Sequence, residues 1–256
     1  MAAVTTRISW ATETWNPTTG CSHVSEGCRW CYAETLSLRR GWSAHPWTEN
    51  HAAENVKLHP DRLRKPYTWK KPSRVFVDSM SDLFHPQVPD DFIAQVFAVM
   101  ADLPQHTFQI LTKRPERMSA WPGPWPAHVW AGTSVEDERV LHRVDQLRAL
   151  PAQVRFLSCE PLLGPLPGLD LSGISWVIVG GESGSHLRED RWRHRWMRSE
   201  WAREIRDACV DQGVAFFFKQ SSGPRSEMGT ALKEADGSER RWQQYPTDLA
   251  PPERVG

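Results

Sequence analysis

Short apolar segments alternate with longer amphipathic segments along most of the chain. The apolar segments are rich in β-branched and aromatic residues and only a few residues long, a pattern typical of buried strands. They are RVFVDSM (74–80), TFQILTK (107–113), HVWAGTSV (128–135), VRFLSCEPL (154–162), SWVIVGGES (175–183) and VAFFFKQ (214–220). We expect one further strand around Arg7 to Trp10, ahead of the first cysteines.

The amphipathic segments predict helices between these strands. The clearest are PDDFIAQVFAVMADL (89–103), EDERVLHRVDQLRAL (136–150) and RSEWAREIRDACVDQ (198–212). In the first, Pro89 and two acidic residues favour a helix amino terminus, and the apolar residues that share one face are Phe92, Val96, Val99 and Met100. Near-continuous apolar strands that alternate with helices predict a parallel sheet. We therefore expect an α/β fold, a partial (β/α) TIM-type barrel of six to seven parallel strands.

Polar residues recur where the predicted strands end. In a (β/α) barrel the carboxyl ends of the strands form one rim, and active sites lie there. The rim predicts cofactor contacts by Asp78, Ser79, Thr133, Ser134, Glu160, Gly180, Gly181 and Glu182. Helix capping is the alternative for single positions such as Ser134 and Asp90, and a plain turn is the alternative for residues 180–182.

The composition excludes a membrane protein. The chain has 256 residues, of which 39% are hydrophobic, and its mean hydropathy is −0.55. No apolar run approaches the ~20 residues of a membrane span, and MAAVTTRISW lacks the apolar core of a signal peptide. We expect a cytoplasmic protein with no membrane partner, in which residues 1–225 form the barrel and residues 226–256 a tail or extension packed on it. The 31 basic and 31 acidic residues balance, so no net charge draws the chain to nucleic acid.

Three of the five cysteines lie within eleven positions, as Cys21, Cys28 and Cys31, whereas Cys159 and Cys209 are isolated. An odd cysteine count in a reducing compartment favours metal binding or catalysis over disulfides. Three thiolates could bind zinc with His23 as the fourth ligand. They could equally hold three irons of a [4Fe–4S] cluster and leave the fourth iron open. Structural zinc sites usually contain two ligand pairs, and only one CxxC is present here, which favours the cluster.

The segment around Cys28, Trp30 and Cys31 resembles the radical S-adenosylmethionine (SAM) enzymes. Those enzymes usually carry C-x3-C-x-aromatic-C, and the second half matches here, although the first spacer has six residues. The resemblance implies a [4Fe–4S] cluster whose open iron binds SAM, an external electron donor, and packing of Trp30 near the adenine. In that superfamily a Gly-Gly-Glu segment usually follows the second strand. Here residues 180–182 follow a much later strand, and Asp78 and Ser79 hold the corresponding position.

A wider resemblance runs in order from about residue 9 to residue 220. Its motifs are TWNPTTGC (14–21), CYAE (31–34), VFVDSMSDLFH (75–85), LTKRPERM (111–118), VWAGTSVE (129–136), RFLSCEPLLGP (155–165), WVIVGGESG (176–184) and FFFKQ (216–220). They resemble the phage Gp37/Gp68 family, also called the three-Cys-motif proteins. This resemblance implies the barrel and the cysteine cluster, implies no particular substrate, and leaves room for a partner protein.

Two basic stretches contain aromatic residues, KLHPDRLRKPYTWKKPSR (57–74) and HLREDRWRHRWMR (186–198). Cations beside aromatic rings suit phosphate contact and base stacking. The nucleic-acid candidates are Trp69, Lys70, Lys71, Arg191, Trp192, Arg193 and Arg195. The alternative is a solvated surface whose arginines pair with nearby acids.

Cys159, at the end of a predicted strand, is the candidate catalytic residue. Its thiol could give a hydrogen atom to a product radical, as a thiol does in the photoproduct lyases that this chain resembles. The alternative is a small buried residue, because free cysteine is often buried.

The pattern as a whole predicts a radical SAM-like iron–sulfur enzyme that cleaves SAM reductively. We expect its substrate to be a nucleic acid or nucleotide, then a peptide, then a small anionic metabolite. Two alternatives stay open. One is a metal- or cluster-stabilised nucleic-acid-binding protein without catalytic activity, and the other is a subunit of a phage or mobile-element complex.

Overall fold

The computed structural model of the chain describes residues 6, 8–183 and 194–246. In chain order its strands are β1 (Glu13–Trp15), β2 (Thr18–Thr19), β3 (Lys57–Leu58), β4 (Arg74–Val77), β5 (Thr107–Thr112), β6 (Val129–Ser134), β7 (Arg155–Cys159), β8 (Trp176–Gly180), β9 (Ala215–Gln220), β10 (Leu232–Lys233) and β11 (Glu239–Arg240). The α-helices are α1 (Tyr32–Arg39), α2 (Ala52–Asn55), α3 (Asp90–Ala101), α4 (Pro115–Ala120), α5 (His142–Arg148) and α6 (Ser199–Asp211). Short 3₁₀ helices span Glu26–Cys28, Glu49–His51, Pro60–Thr68 and Glu138–Val140.

Seven strands form one sheet in the order β1-β4-β5-β6-β7-β8-β9. Every neighbouring pair in this sheet is parallel, and each strand pairs with the next sheet strand along the chain. This sequential order is that of a (β/α) barrel, with β1 and β9 as its two edges. The prediction of an α/β fold with a partial barrel of six to seven parallel strands is therefore confirmed.

The two faces of the sheet bury different kinds of side chain. The face toward the helices is mainly aliphatic and includes Val75 and Val77 of β4, packed with residues of α3 such as Val96. The opposite, inner face is largely aromatic, and its cluster comprises Trp10, Ala11, Phe76, Trp130, Phe156, Trp176, Ile178, Ala215 and Phe217. Alternate residues of a strand point to opposite faces, which separates Phe76 from its two valine neighbours. The barrel interior is thus closed by aromatic rings at the level of the strands.

The predicted first strand was wrong, and two further local expectations are corrected. Trp10 lies in a turn, and the first strand is Glu13–Trp15. An apolar residue is found at position 10 because the Trp10 ring packs in the inner aromatic cluster, and no strand is needed to explain it. Arg7 lies outside the described residues. The helix predicted over residues 136–150 is shorter and begins with a separate 3₁₀ turn, which the Asp137 side chain caps by accepting from the Arg139 amide at 3.0 Å. Ser134 ends β6 and caps no helix.

The last described residues cover one edge of the sheet. The amide of Phe218 donates to the Trp242 carbonyl at 2.8 Å, and the amide of Gln244 donates to the Phe216 carbonyl at 3.0 Å. Pairing along β9 protects a strand edge that would otherwise be exposed. The division of the chain at residue 225 remains a prediction. Within the described residues, no helix has the length and apolar character that crossing a membrane requires.

Candidate functional site

The segment that carries the three cysteines begins at the carboxyl end of the first strands. The Gly20 amide donates to the Met80 carbonyl at 3.0 Å, which holds the segment beside the residues that follow β4. Gly20 has a φ of +84°, and a Cβ there would lie 2.0 Å from the Asn55 carbonyl oxygen. Only glycine fits this position, because both the backbone conformation and the close approach exclude a side chain. Cys28 then ends a 3₁₀ turn, and Cys31 directly precedes α1.

The cysteines line a cavity of about 240 Å³ together with residues from the strand ends. Its polar lining includes Asp78, Ser79, Asp82, Lys113, Arg114, Ser134, Ser158, Glu160, Glu182 and Lys219. Its apolar floor includes Ile8, Trp10, Phe76 and Leu111. The structure therefore brings together the cysteine cluster and five of the eight rim residues predicted to contact a cofactor, which are Asp78, Ser79, Ser134, Glu160 and Glu182. Thr133, Gly180 and Gly181 do not line the cavity, whereas Trp30, predicted to pack near an adenine, does.

Two cations at the end of β5 face the cysteine thiols. Burial raises the pKa of Cys21 to about 12. The Arg114 guanidinium, whose Nη1 lies 3.5 Å from the Cys21 sulfur, opposes that rise. Burial likewise raises the pKa of Cys31 to about 11, opposed by the backbone amides of Glu34 and Ala33 and by the Lys113 ammonium. The thiolate is the form that binds metal, and it is favoured by nearby cations and by a helix amino terminus. The surroundings of Cys21 and Cys31 therefore contain the groups that a bound thiolate needs.

Arg114 ties the cysteine segment to the barrel. Its guanidinium donates to the Asp82 carboxylate at 3.0 Å, and to the carbonyl and hydroxyl oxygens of Ser22 at 3.0 and 3.1 Å. Asp82 also accepts from the Thr112 hydroxyl at 2.7 Å and from the Lys113 amide at 3.2 Å. Both charged side chains are nearly buried, at 10% and 7% exposed, so each depends on the other.

Glu136 ties the second half of the segment to the end of β6. It is buried and accepts from the Ser25 hydroxyl at 2.9 Å and from the Arg143 guanidinium at 2.9 Å. The Lys113 ammonium lies 3.5 Å away. A Cβ on Gly27 would come within 2.4 Å of the Glu136 carboxylate. The sequence placed Glu136 at the start of a helix, and no sequence signal marked it as a partner of residues more than a hundred positions away.

His23, the alternative fourth ligand for zinc, pairs with a carboxylate. Its Nε2 lies 2.8 Å from Glu34 Oε2, while Glu34 Oε1 accepts from the Trp47 amide at 2.8 Å. The three cysteine sulfurs do not all come within 4.8 Å of one another. A tetrahedral zinc with Zn–S bonds of about 2.3 Å holds its sulfurs about 3.8 Å apart. Binding of one zinc ion by all three cysteines would therefore require their sulfurs to approach one another.

Asp78 and Ser79 fix the backbone around the site. The Asp78 carboxylate accepts from the amide and hydroxyl of Thr18, both at 3.0 Å, and its backbone has a φ of +59°. Burial raises the pKa of Asp78 to about 7. The Ser79 carbonyl accepts from the Tyr32 hydroxyl at 2.6 Å, and the Ser79 hydroxyl donates to Asn16 at 3.1 Å. These contacts hold β1, β4 and α1 together at the cavity mouth.

The late strand ends provide two ion pairs in the cavity wall. Lys219 pairs with Glu160, and Arg195 pairs with Glu182. Arg195 also donates to the Glu26 carbonyl at 3.0 Å, so it joins β8 to the cysteine segment. The Glu182 carboxylate is therefore occupied by a protein cation. Lys219 and Glu160 form a charge pair that a ligand in the cavity could meet directly.

Close packing explains the two glycines at the end of β8. A Cβ on Gly180 would meet the Glu160 carboxyl carbon at 3.2 Å, and one on Gly181 would lie 2.2 Å from the Ser222 amide nitrogen. Gly181 thus lets the chain segments after β8 and β9 approach each other. The two glycines shape the rim and do not themselves reach the cavity.

Two polar atoms at the cavity have no hydrogen-bond partner among the described residues. They are the hydroxyl of Ser134 and the indole nitrogen of Trp10, both buried. Thr133, one residue earlier, instead donates to the Thr112 carbonyl at 2.9 Å inside the sheet. Buried polar groups without partners are uncommon in folded proteins. Both residues line the cavity, but these two atoms themselves are buried.

Cys159 does not line the cavity. It is fully buried in the helix-facing core, which also contains Cys209, and burial raises its pKa far above the ordinary value. Its neighbour Ser158 points the other way and does line the cavity. This position favours the buried-residue interpretation of Cys159 over the hydrogen-donor interpretation.

The nucleic-acid candidates do not form one surface among the described residues. Trp69 packs against the helix-facing core and makes an edge contact with His106 at 5.8 Å. Lys70 and Lys71 are exposed but precede β4, at the opposite end of the sheet from the cysteines. Arg195 is engaged by Glu182 and Glu26. Arg191, Trp192 and Arg193 lie outside the described residues.

Comparison with known proteins identifies a family. Residues 5–246 match the model of a family described as "Protein of unknown function (DUF5131)". No curated protein matches the chain. A solved structure described as "Spore photoproduct lyase complexed with dinucleoside spore photoproduct" is similar at a TM-score of 0.47 and 14% identity, over 78% of this chain and 75% of that chain. A likeness this distant supports no statement about what the present chain binds.

Proposed function

The chain belongs to the DUF5131 family, and we propose that it is an iron–sulfur enzyme of the radical SAM type. The observation that carries the proposal is the position of Cys21, Cys28 and Cys31. Three thiols meet at one wall of a cavity formed by the carboxyl ends of parallel strands, which is where barrel enzymes place their active sites.

Cys21, Cys28 and Cys31 would hold a [4Fe–4S] cluster through three irons, and the fourth iron would have no cysteine ligand. When bound, such a cluster supplies one electron for the cleavage of SAM to methionine and a 5′-deoxyadenosyl radical. Lys113 and Arg114 balance the negative charge of the thiolates. Trp30, half-buried in the cavity wall, supplies an aromatic face for the adenine, and the Arg29 guanidinium lies 5.2 Å from that ring.

The remaining cavity supports a nucleotide or nucleic acid as the substrate. Its floor contains the rings of Trp10 and Phe76, on which a base could stack. The Lys219 ammonium, paired with Glu160 in the cavity wall, is a cation that a phosphate could approach.

Iron binding is the first test. Anaerobic reconstitution with iron and sulfide should give broad absorbance near ~400 nm and about four irons per chain. Cys31→Ser should lose the absorbance, whereas Cys209→Ala, which removes a thiol outside the cavity, should keep it. His23→Ala should leave the iron content unchanged. Tight zinc at one ion per chain, lost in His23→Ala and without iron uptake, would contradict the proposal.

SAM cleavage is the second test. Under a strong reductant the loaded protein should release 5′-deoxyadenosine, and Cys31→Ala should abolish the release. Trp30→Ala should weaken SAM binding without changing the iron content, because Trp30 packs on the ligand and binds no iron. A protein with an intact cluster that neither binds nor cleaves SAM would favour a structural role or a subunit of a larger complex.

A further inference from the structure

A second group of metal-binding side chains lies outside the residues that line the cavity. His45 Nε2 is 3.0 Å from Glu54 Oε2, and His51 Nδ1 is 3.3 Å from Glu54 Oε1. The two imidazole rings stack with their centroids 4.3 Å apart and their planes inclined by 12°. One nitrogen from each histidine and one carboxylate oxygen all lie within 4.8 Å of one another.

The local fold explains why these three side chains meet. His51 ends the 3₁₀ turn Glu49–His51, and Glu54 follows in α2. Residues three apart in consecutive helical turns share one face, so His51 and Glu54 are neighbours. His45 comes from the preceding loop and is brought alongside by ring stacking.

We propose that His45, His51 and Glu54 bind a divalent transition-metal ion, with Zn²⁺ as the best-suited ion. Two imidazole nitrogens and one carboxylate oxygen are a donor set that zinc accepts, and water completes its coordination. Tetrahedral bonds of about 2.0–2.1 Å hold donor atoms about 3.4 Å apart, so the side chains need only small rotations. The three side chains are between 37% and 59% exposed, which allows both the rotations and the entry of an ion.

A metal ion at this position would stabilise the segment that supports the cysteines. Within residues 45–55, the Trp47 carbonyl accepts from the His23 amide at 3.0 Å, and Glu49 accepts from the Ser22 hydroxyl at 2.8 Å. The Asn55 carbonyl lies against Gly20. A metal ion that joins His45 to His51 and Glu54 would therefore restrain residues 45–55, which make these three contacts with the cysteine segment. The ion itself would not contact the cysteines.

Thermal unfolding with and without zinc tests this site on the full chain, before any iron is added. At a hundredfold excess over Kd, Zn²⁺ should raise the melting temperature by about 5–10 °C. His51→Ala and Glu54→Gln should lose that rise, whereas His142→Ala, which removes an exposed histidine elsewhere, should keep it. Glu54→Gln preserves the size of the side chain, so it decides the result if His51→Ala does not fold.

Cobalt separates this site from the cysteines, because Co²⁺ bound to thiolates shows sulfur-to-metal charge-transfer absorption and Co²⁺ bound to nitrogen and oxygen does not. Wild-type protein with its thiols alkylated should bind one Co²⁺ with only the weak visible bands, and Glu54→Gln should not. Zinc responses in His51→Ala and Glu54→Gln equal to that of the wild type would overturn the proposal. Loss of all Co²⁺ binding on alkylation would overturn it as well. Neither outcome bears on the cluster, which is tested by iron uptake.

Discussion

Replacement of Arg114 by methionine is expected to release the start of the cysteine segment from the barrel. The arginine joins the buried Asp82 carboxylate to the Ser22 backbone through hydrogen bonds of 3.0 Å. Methionine preserves most of the aliphatic packing and removes the charge and all of its hydrogen bonds. The change therefore isolates the polar contribution of the side chain.

The magnitude follows from the burial of the pair. Removing one partner of a buried ion pair costs ~3–5 kcal/mol, because the other charge is left uncompensated. Asp82 would keep three donors, the hydroxyl of Thr112 and the amides of Lys113 and Phe84, and these reduce the penalty. Loss of the charged hydrogen bond to Ser22 adds to it. We expect Arg114→Met to lower the free energy of unfolding by about 3–4 kcal/mol.

Urea unfolding of the metal-free protein measures this loss as a shift of the midpoint at an unchanged slope. Arg198→Met is the matched control, because Arg198 is 67% exposed and lies 3.7 Å from Glu200. An exposed pair contributes only ~0–1 kcal/mol. The double variant Arg114→Met/Asp82→Asn should lose less free energy of unfolding than the two single variants lose in sum, because it leaves no unpaired charge.

Equal losses in Arg114→Met and Arg198→Met would refute the reasoning, since the buried pair would then contribute no more than an exposed one. Strictly additive losses in the double variant would show that Arg114 and Asp82 are not coupled. Arg114→Met should also load iron more slowly than the wild type, because the cation that favours the Cys21 thiolate is gone.

Three further changes test other parts of the site. Burial raises the pKa of Asp78 to about 7, so the folded protein retains a proton that the unfolded chain loses near pH 4. The contribution of Asp78 to the free energy of unfolding should be greatest below pH 4 and fall by up to ~4 kcal/mol between pH 4 and pH 7, and the difference between the urea midpoints of the wild type and Asp78→Asn should follow this fall. Gly181→Ala forces a Cβ against the Ser222 amide and should cost ~1–3 kcal/mol, whereas Gly223→Ala, with no contact closer than 3.7 Å, should cost little in the same measurement. Cys159→Ala should lower the melting temperature but leave the yield and identity of the reaction product unchanged, and an altered product would restore the hydrogen-donor role.

The barrel could be predicted because its evidence is local and repeated. Each apolar strand is short and continuous, and parallel strands place their carboxyl ends on one rim whatever the details of the helices. The same reasoning could not tell which rim residues face the cavity. Strand alternation decides that: Phe156 and Ser158 point inward, whereas Leu157 and Cys159 point toward the helices. If Phe156 is taken to face the interior, alternation alone predicts that Ser158 faces the cavity and Cys159 faces the helices.

The roles of Arg114, Asp82 and Glu136 could not be predicted, because each depends on partners far away in the chain. Glu136 contacts Ser25 across 111 positions, and Arg114 contacts Cys21 across 93. Such pairs leave no periodicity, and each residue alone resembles an ordinary rim or helix residue. In the basic stretches, local composition could not tell which arginines are already paired, and Arg195 contacts Glu182 and Glu26.

Lys113 and Arg114 together show how one strand end positions the whole cysteine segment. The two residues are adjacent at the end of β5, yet Arg114 contacts Cys21 and Ser22 while Lys113 lies beside Glu136. Glu136 in turn accepts from Ser25, so the contacts extend to both halves of the segment. Each cation is held by a buried carboxylate before any ligand binds, and a preorganised charge requires no rearrangement when the thiols ionise. The barrel therefore holds Arg114 and Lys113 in place, and their contacts and those of Glu136 position the cysteine segment. These contacts explain how a segment with so little regular structure can present three thiols to one cavity.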